Sequence, residues 1–202
     1  MKKIITVGRE FGSGGRELAR RLAENLGIEY YDRQIITDIA EHTDLSEEYV
    51  RKIIDKTPHH LYPITVGRTI SYVDDYMFEK VQSVYQAQSE IIRNLAEKTD
   101  CVIVGRCADY ILRGNENVIR IFVHASEDTC VRNVSEKSSM TDSEIRQFIE
   151  KTDRNRAEYY KYFTGGDWKD ATNYDLCIDT DKMTVRQSID VIKAYMKVRY
   201  MI

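Results

Sequence analysis

No apolar run in this chain approaches the ~20 residues that a membrane-crossing helix needs, so a membrane partner is not expected. Proline is scarce: Pro58 and Pro63 stand close together, and the other 200 of the 202 residues contain none. Helix and strand breaks must therefore come mostly from glycine and capping residues. Neither sign of charge dominates, with 30 Lys and Arg against 33 Asp and Glu and a net charge of -3. A weakly acidic chain has no global pull toward nucleic acid or anionic membrane, so any polyanion must be held by a local basic cluster. None of the four cysteines, Cys101, Cys107, Cys130 and Cys177, forms a Cys-x-x-Cys pair. They read as free thiols in a reducing compartment, Cys101 and Cys177 buried in apolar strands, and a cytoplasmic location is expected. His59 and His60 are adjacent in the proline-flanked segment, while His42 and His124 are isolated, so no zinc site is expected. The lysine-bearing N-terminus has too short an apolar stretch for a leader and reads as a first strand.

What remains is the balance of one globular domain, 42% hydrophobic and 31% charged. A β-branched run at 2–8 predicts a buried strand. Apolar spacing at Leu18, Ala19, Leu22, Ala23 and Leu26 predicts a helix stopped by Gly27. A second strand is expected at 28–31, ending at Asp32. From 34 to 55 the pattern is helical with a break near Thr43, where Asp44 or Ser46 is expected to cap a new helix. Residues 57–67 read as irregular, and 74–98 as a long amphipathic helix. Strands are expected at 101–105, 118–123 and 174–179. Thr141 and Glu144 form a capping box for a helix through about Tyr162, and Thr184 caps a final helix. Short apolar strands alternating with helices imply an α/β fold with a five-stranded parallel sheet covered on both faces. In such sheets ligands bind beyond the carboxyl ends of the strands.

At the first of those ends stands Gly12-Ser13-Gly14-Gly15-Arg16, between a strand and a helix. Small residues let backbone N–H groups turn inward around an anion, and the helix N-terminus adds partial positive charge. Arg16 follows the last glycine, where a P-loop carries lysine. The strict P-loop pattern is not met. Glu10 stands at its first glycine, Arg16 at the lysine and Glu17 at the magnesium-binding hydroxyl. The dinucleotide fingerprint fails too, because Glu17 occupies its last glycine.

The ordered set Gly12-Ser-Gly-Gly-Arg16, Tyr31-Asp32, Val104-Gly-Arg106, Ile121-Phe-Val-His-Ala-Ser126 and Asp153-Arg-Asn-Arg156 resembles the cytidylate kinases across nearly the whole chain. The opening Gly8-Arg-Glu-Phe-Gly-Ser-Gly-Gly-Arg-Glu17 is most similar to a divergent branch, the cytidylate kinase-like proteins. The resemblance implies a P-loop NTPase fold of the nucleoside monophosphate kinase type. It implies one domain over residues 1–202, with a helical substrate-binding insertion at about 33–98 and a lid at about 132–165. It further implies transfer of the γ-phosphoryl group of ATP to a nucleoside monophosphate, with Mg²⁺ and with small nucleotides as partners. Positive charge would come from Arg16, Arg106, Arg132, Arg154 and Arg156. Gly12, Ser13, Gly14, Gly15, Arg16 and Glu17 would hold ATP phosphates, and Asp32, Arg33, Arg106 and Asp153 the acceptor. Glu17 and Asp32, with Glu10 a further candidate, would serve magnesium.

The chain departs from the family's pattern at several positions. Val104 replaces a strand-end aspartate near magnesium. Cys107 and Ile149 replace two of three cytosine readers and leave Asp153, while Asp38 replaces an arginine that grips the acceptor phosphate. Arg33 or Arg68 is a candidate substitute for that arginine, and Tyr72, Tyr76 or Arg68 for the lost base contacts. A nucleotide-binding regulatory module without kinase activity, and a P-loop kinase of a non-nucleotide alcohol, stand as alternatives.

Overall fold

The computed structural model describes residues 2–55 and 75–200, with side chains from residue 78 onward in the second stretch. The irregular segment at 57–67, His59, His60, Arg68, Tyr72 and the side chain of Tyr76 lie outside the described residues.

Five parallel strands form one sheet: β1 (Ile4–Arg9), β2 (Glu29–Tyr31), β3 (Cys101–Val104), β4 (Val118–His124) and β5 (Leu176–Asp179). Their spatial order is β2-β3-β1-β4-β5. β1 is central, with Ile4 paired to Cys101 on one side and to Val118 on the other. A β-branched run suits that place because successive side chains alternate across the sheet and both faces are covered. Ile4 joins the core on one face, against α2 (Gln34–Thr43), α3 (Glu47–Asp55), α4 (Asp75–Lys98) and α7 (Asp142–Thr164). Ile5 and Val7 join the core on the other, against α1 (Gly15–Leu26) and α8 (Val185–Tyr200). α5 (Ala108–Ile111) follows β3, and α6 (Glu127–Ser135) follows β4.

Short-range signals set most element ends. α1 stops at Gly27, whose backbone at φ 64 returns its N–H to the carbonyls of Ala23 and Glu24. α7 opens on the reciprocal Thr141–Glu144 capping box. Thr184 and Gln187 exchange equivalent bonds ahead of α8. Of the two candidate caps near Thr43, Ser46 accepts from the Tyr49 N–H at 3.2 Å, while Asp44 ends α2 in a left-handed conformation at φ 53.

Three elements escaped the sequence pattern: α5, α6 and a 3₁₀ turn at Ala171–Asn173. α6 buries only Thr129, Cys130 and Val131, so its apolar face is too narrow to register as a helical period. The thiol at Cys177 is exposed, against the expectation of burial, because β5 is an edge strand. The other three cysteines are buried and free. No helix among the described residues is long and apolar enough to cross a membrane.

Candidate active site

β1 runs directly into the glycine-rich loop. Gly12 and Gly14 are left-handed, at φ 83 and 78. At Gly12 a Cβ would also lie 2.7 Å from the Cys130 carbonyl oxygen, so both backbone and space demand glycine there. The loop's carbonyls and its serine are tied outward. The buried Ser13 hydroxyl donates to the Glu10 carbonyl at 2.9 Å. Asn133 Nδ2 donates to the Gly12 carbonyl at 2.8 Å, and Thr180 Oγ1 to the Ser13 carbonyl at 2.8 Å. The N–H groups are left over. Among the described residues the amides of Gly12, Ser13, Gly14, Arg16 and Glu17 meet no protein acceptor, and helical bonding begins with Leu18 N–H to the Gly14 carbonyl. Unmet donors at a helix N-terminus form a cradle for an anion.

Beside the loop opens a cavity of about 440 Å³, lined from the ends of β1 and β3, from α2 and α3, and from one face of α7. Among the described residues, seven of its lining side chains are cationic, and two, Asp55 and Asp109, are carboxylates. Several cations carry a partner. Arg16 Nε meets Asp32 Oδ2 at 2.7 Å, Arg51 meets Glu47 at 3.0 Å, and Arg156 Nη1 meets Asp153 Oδ1 at 2.9 Å. Arg156 also donates to the Arg9 carbonyl at 3.0 Å and lies over the Phe11 ring. Arg106 Nε is buried without a hydrogen-bond partner among the described residues. Arg9 stands among these groups, and its guanidinium is pushed down to about 9, first by burial, then by Arg156, with Arg106 and Arg16 adding and Asp32 opposing.

The turn after β3 is strained toward this cavity. Gly105, Arg106 and Cys107 are left-handed in succession, at φ 69, 60 and 53. Each non-glycine residue in that region costs on the order of 1–3 kcal/mol, and such strain gathers at functional sites. Its support is a buried relay: Gln88 Nε2 of α4 donates to the Arg106 carbonyl at 2.9 Å, and the Tyr159 hydroxyl of α7 donates to Gln88 Oε1 at 3.3 Å. Nearby, the Tyr160 hydroxyl donates to Asp109 at 2.7 Å. Burial raises the Asp109 carboxyl, and the Tyr160 bond opposes that rise.

The glycine-rich loop and the basic cavity sit at the carboxyl edge of a sheet ordered β2-β3-β1-β4-β5, and the model of the cytidylate kinase-like family matches this chain over residues 4–182. The chain belongs to the cytidylate kinase-like family. A cytidylate kinase from Methanopyrus kandleri is 24% identical over 200 residues, spanning 95% of this chain and 91% of that protein. A solved structure of an uncharacterised protein from Eubacterium ventriosum has a TM-score of 0.70 at 29% identity, covering 97% of this chain and 99% of its own. A shikimate kinase from Bacteroides thetaiotaomicron shares the fold, with a TM-score of 0.57 at 14% identity over 96% of this chain and 98% of its own. Family and fold make this cytidylate kinase-like chain a P-loop kinase of a nucleotide or similar small molecule.

The fold brings Arg16, Arg33, Arg106 and Arg156 to the one cavity. It takes other candidates elsewhere. Arg154 and Asp153 line a second cavity, of about 570 Å³, on another face of α7. Arg154 is exposed and pairs with Glu150, one helical turn away. Asp153 takes the Phe11 N–H at 2.9 and 3.1 Å on its two oxygens, so it anchors the glycine-rich loop to α7. Arg132 is exposed on α6 and donates to Thr129 Oγ1 at 3.0 Å. Glu17 is held by Arg20 and Arg21, whose hydrogen bonds push its carboxyl down to about 2. Glu10 pairs with Lys169. The family departures sort likewise. Val104 is buried in the core against α1, Ile149 packs with α6, and Asp38 accepts from Gln34, whereas Cys107 lines the main cavity. Among the described residues no three His, Cys, Asp or Glu side chains cluster as a metal site.

Sequence reasoning missed Arg9, Arg51, Asp109 and Lys151, all on the cavity wall. A helical period was available for part of this, since Phe148, Lys151, Thr152, Asn155, Arg156 and Tyr159 share one face of α7. Arg51 and Asp109 carried no local signal, because only the packing of α3 and α5 brings them in.

Proposed function

We propose that this kinase transfers the γ-phosphoryl group of magnesium-bound ATP to a nucleoside monophosphate of the CMP or dCMP kind. The observation that carries the reading is the concentration of cations in one cavity beside an open cradle of backbone N–H groups. A monophosphate acceptor and a triphosphate donor bring several negative charges together, and phosphoryl transfer needs chiefly positioning and dispersed positive charge. The phosphorus–oxygen bond to the leaving diphosphate breaks as one forms to an acceptor phosphate oxygen, giving two diphosphates with no net proton change. The loop from Gly12 to Glu17 would hold the donor phosphates. Arg33, Arg106 and Arg156 would face the acceptor side, with about 33–98 as its insertion and about 132–165 as the lid.

Magnesium would neutralise the donor phosphates. Asp32 suits a role near it: the side chain is buried, and its Oδ1 has no hydrogen-bond partner among the described residues, which leaves an acceptor for a metal-bound water. Glu17 suits it less, being committed to two arginines.

Base discrimination should be weak. Cys107 offers no charged partner, Ile149 faces α6, and Asp153 is spent on Phe11 and Arg156. An unmatched polar edge costs roughly 1–3 kcal/mol in a closed pocket, and missing readers remove that penalty. Rates with CMP, dCMP, UMP, AMP and shikimate at subsaturating acceptor test this. The expected result is turnover of the pyrimidine monophosphates, with CMP preferred over UMP by about tenfold or less, which is ~1.4 kcal/mol. Turnover of shikimate alone would move the protein to alcohol kinases. ATP binding without turnover of any acceptor would make it a nucleotide-sensing module.

A further inference from the structure

We infer that Arg9 is the fixed phosphate clamp of this site, holding the donor's terminal phosphates where a P-loop lysine would otherwise act. The inference rests on the kinase reading above only for the name of the donor. Its physical basis is the built slot around one side chain.

Arg9 is the last residue of β1, and two glycines make room for it. A Cβ at Gly15 would lie 2.6 Å from Arg9 Cβ, and a Cβ at Gly105 would lie 2.2 Å from Arg9 Nη1. The stem is therefore pinned against the start of α1, and the guanidinium lies across the end of β3. Such confinement removes rotamer entropy in advance, so a ligand need not.

The charge in this slot has no counterion of its own. Among the described residues no hydrogen bond or ion pair engages the Arg9 guanidinium, whereas Arg16 and Arg156 each hold a carboxylate. After burial, the charges that act on it are Arg156, then Asp32 as the opposing charge, then Arg106 and Arg16. An arginine kept for architecture is normally paired, because burying an unpaired cation is costly. A cluster of cations that raises its own energy is relieved by an anion of matching charge, and a guanidinium fork fits two phosphate oxygens. Arg16, at the lysine position, is held by Asp32 and half exposed, with 51% of its side-chain surface accessible. The cation already set into the cavity wall beside the loop is Arg9.

The experiment compares wild type, Arg9→Met and Arg9→Lys as full chains. Thermal melting is measured without ligand, and affinity for ATP and for inorganic pyrophosphate by calorimetry. Replacing an unpaired cation by an apolar side chain of similar length should leave the ligand-free melting temperature unchanged or raised. Affinity for both anions should fall at least about tenfold in Arg9→Met, and by less in Arg9→Lys, which keeps the charge but loses the fork. A lower melting temperature with anion affinity retained would overturn the inference and leave Arg9 a structural residue. Should Arg9→Met fail to fold, Arg9→Lys decides alone: weaker pyrophosphate binding at unchanged melting temperature supports the clamp, and equal binding refutes it. Pyrophosphate binding needs no acceptor, so this result is separate from the kinase reading. If wild type turns over no acceptor while Arg9→Met still loses pyrophosphate, the function falls and the clamp stands. If Arg9→Met keeps full turnover, the clamp falls and the kinase stands.

Discussion

Replacing Asp153 separates a base reader from a structural anchor. Its two oxygens accept the Phe11 N–H, and Oδ1 also accepts from Arg156 Nη1 at 2.9 Å. The side chains of Asp153 and Arg156 are 13% and 24% exposed, so the pair is mostly shielded. Asp153→Ala leaves a loop N–H without its acceptor and Arg156 without its carboxylate. Removing one member of a buried pair costs about 3–5 kcal/mol; the residual exposure of this pair puts the expected loss near the low end, about 3 kcal/mol. At ~2–4 °C per kcal/mol for a chain of this size, melting should drop by about 6–12 °C. Asp153→Asn keeps a carbonyl for Phe11 and should lose about half as much. The kinetic consequence follows from geometry. The loop would be released from α7 and turnover would fall for every acceptor alike, so the CMP to UMP ratio should stay within about threefold, ~0.7 kcal/mol. Differential scanning calorimetry and parallel rates with the two acceptors measure both quantities. Unchanged melting together with a collapsed CMP to UMP ratio would refute the reasoning and return Asp153 to base recognition.

Two further expectations rest on other parts of the molecule. Asp175 accepts from the Arg120 backbone and side chain and from Arg199. Burial would raise its carboxyl, but the Arg120 and Arg199 bonds outweigh it and hold it below the usual range. A depressed acid contributes stability that is full above its unfolded value of about 3.9 and is lost as pH falls through the folded value. The melting-temperature gap between wild type and Asp175→Asn should therefore be widest near neutral pH and close below about pH 4; a gap that widens on acidification would contradict this. At Gly12, substitution by Ala should cost at least about 1–2 kcal/mol for the left-handed backbone alone. Contact with the Cys130 carbonyl at 2.7 Å adds to that cost, and ATP affinity should fall with it; urea unfolding and a nucleotide titration check the pair.

Elements, caps and the glycine-rich loop were legible because each rests on residues near one another in the chain. The Thr141–Glu144 box, the Gly27 stop and the β-branched run of β1 all act within a few positions, and each appears where its pattern placed it. Residues 12–16 likewise carried the loop's geometry in their own composition. The ordered motifs carried the family, which the family match upholds over residues 4–182. What those motifs did not carry was the partner of each charge. Arg154 and Arg156 lie two residues apart, yet the helix turns one out to Glu150 and the other in to the cavity. Asp153 meets Phe11 across a separation of 142 positions, a contact that exists only because α7 comes back to the loop that follows β1. Arg9 lies just past the strand expected at 2–8 and drew no site reading, and only the approach of Gly15 and Gly105 makes it a pinned cation without a partner among the described residues. Backbone propensity is a short-range property and can be read along the chain. Charge compensation depends on distance through space, and the fold alone sets that distance.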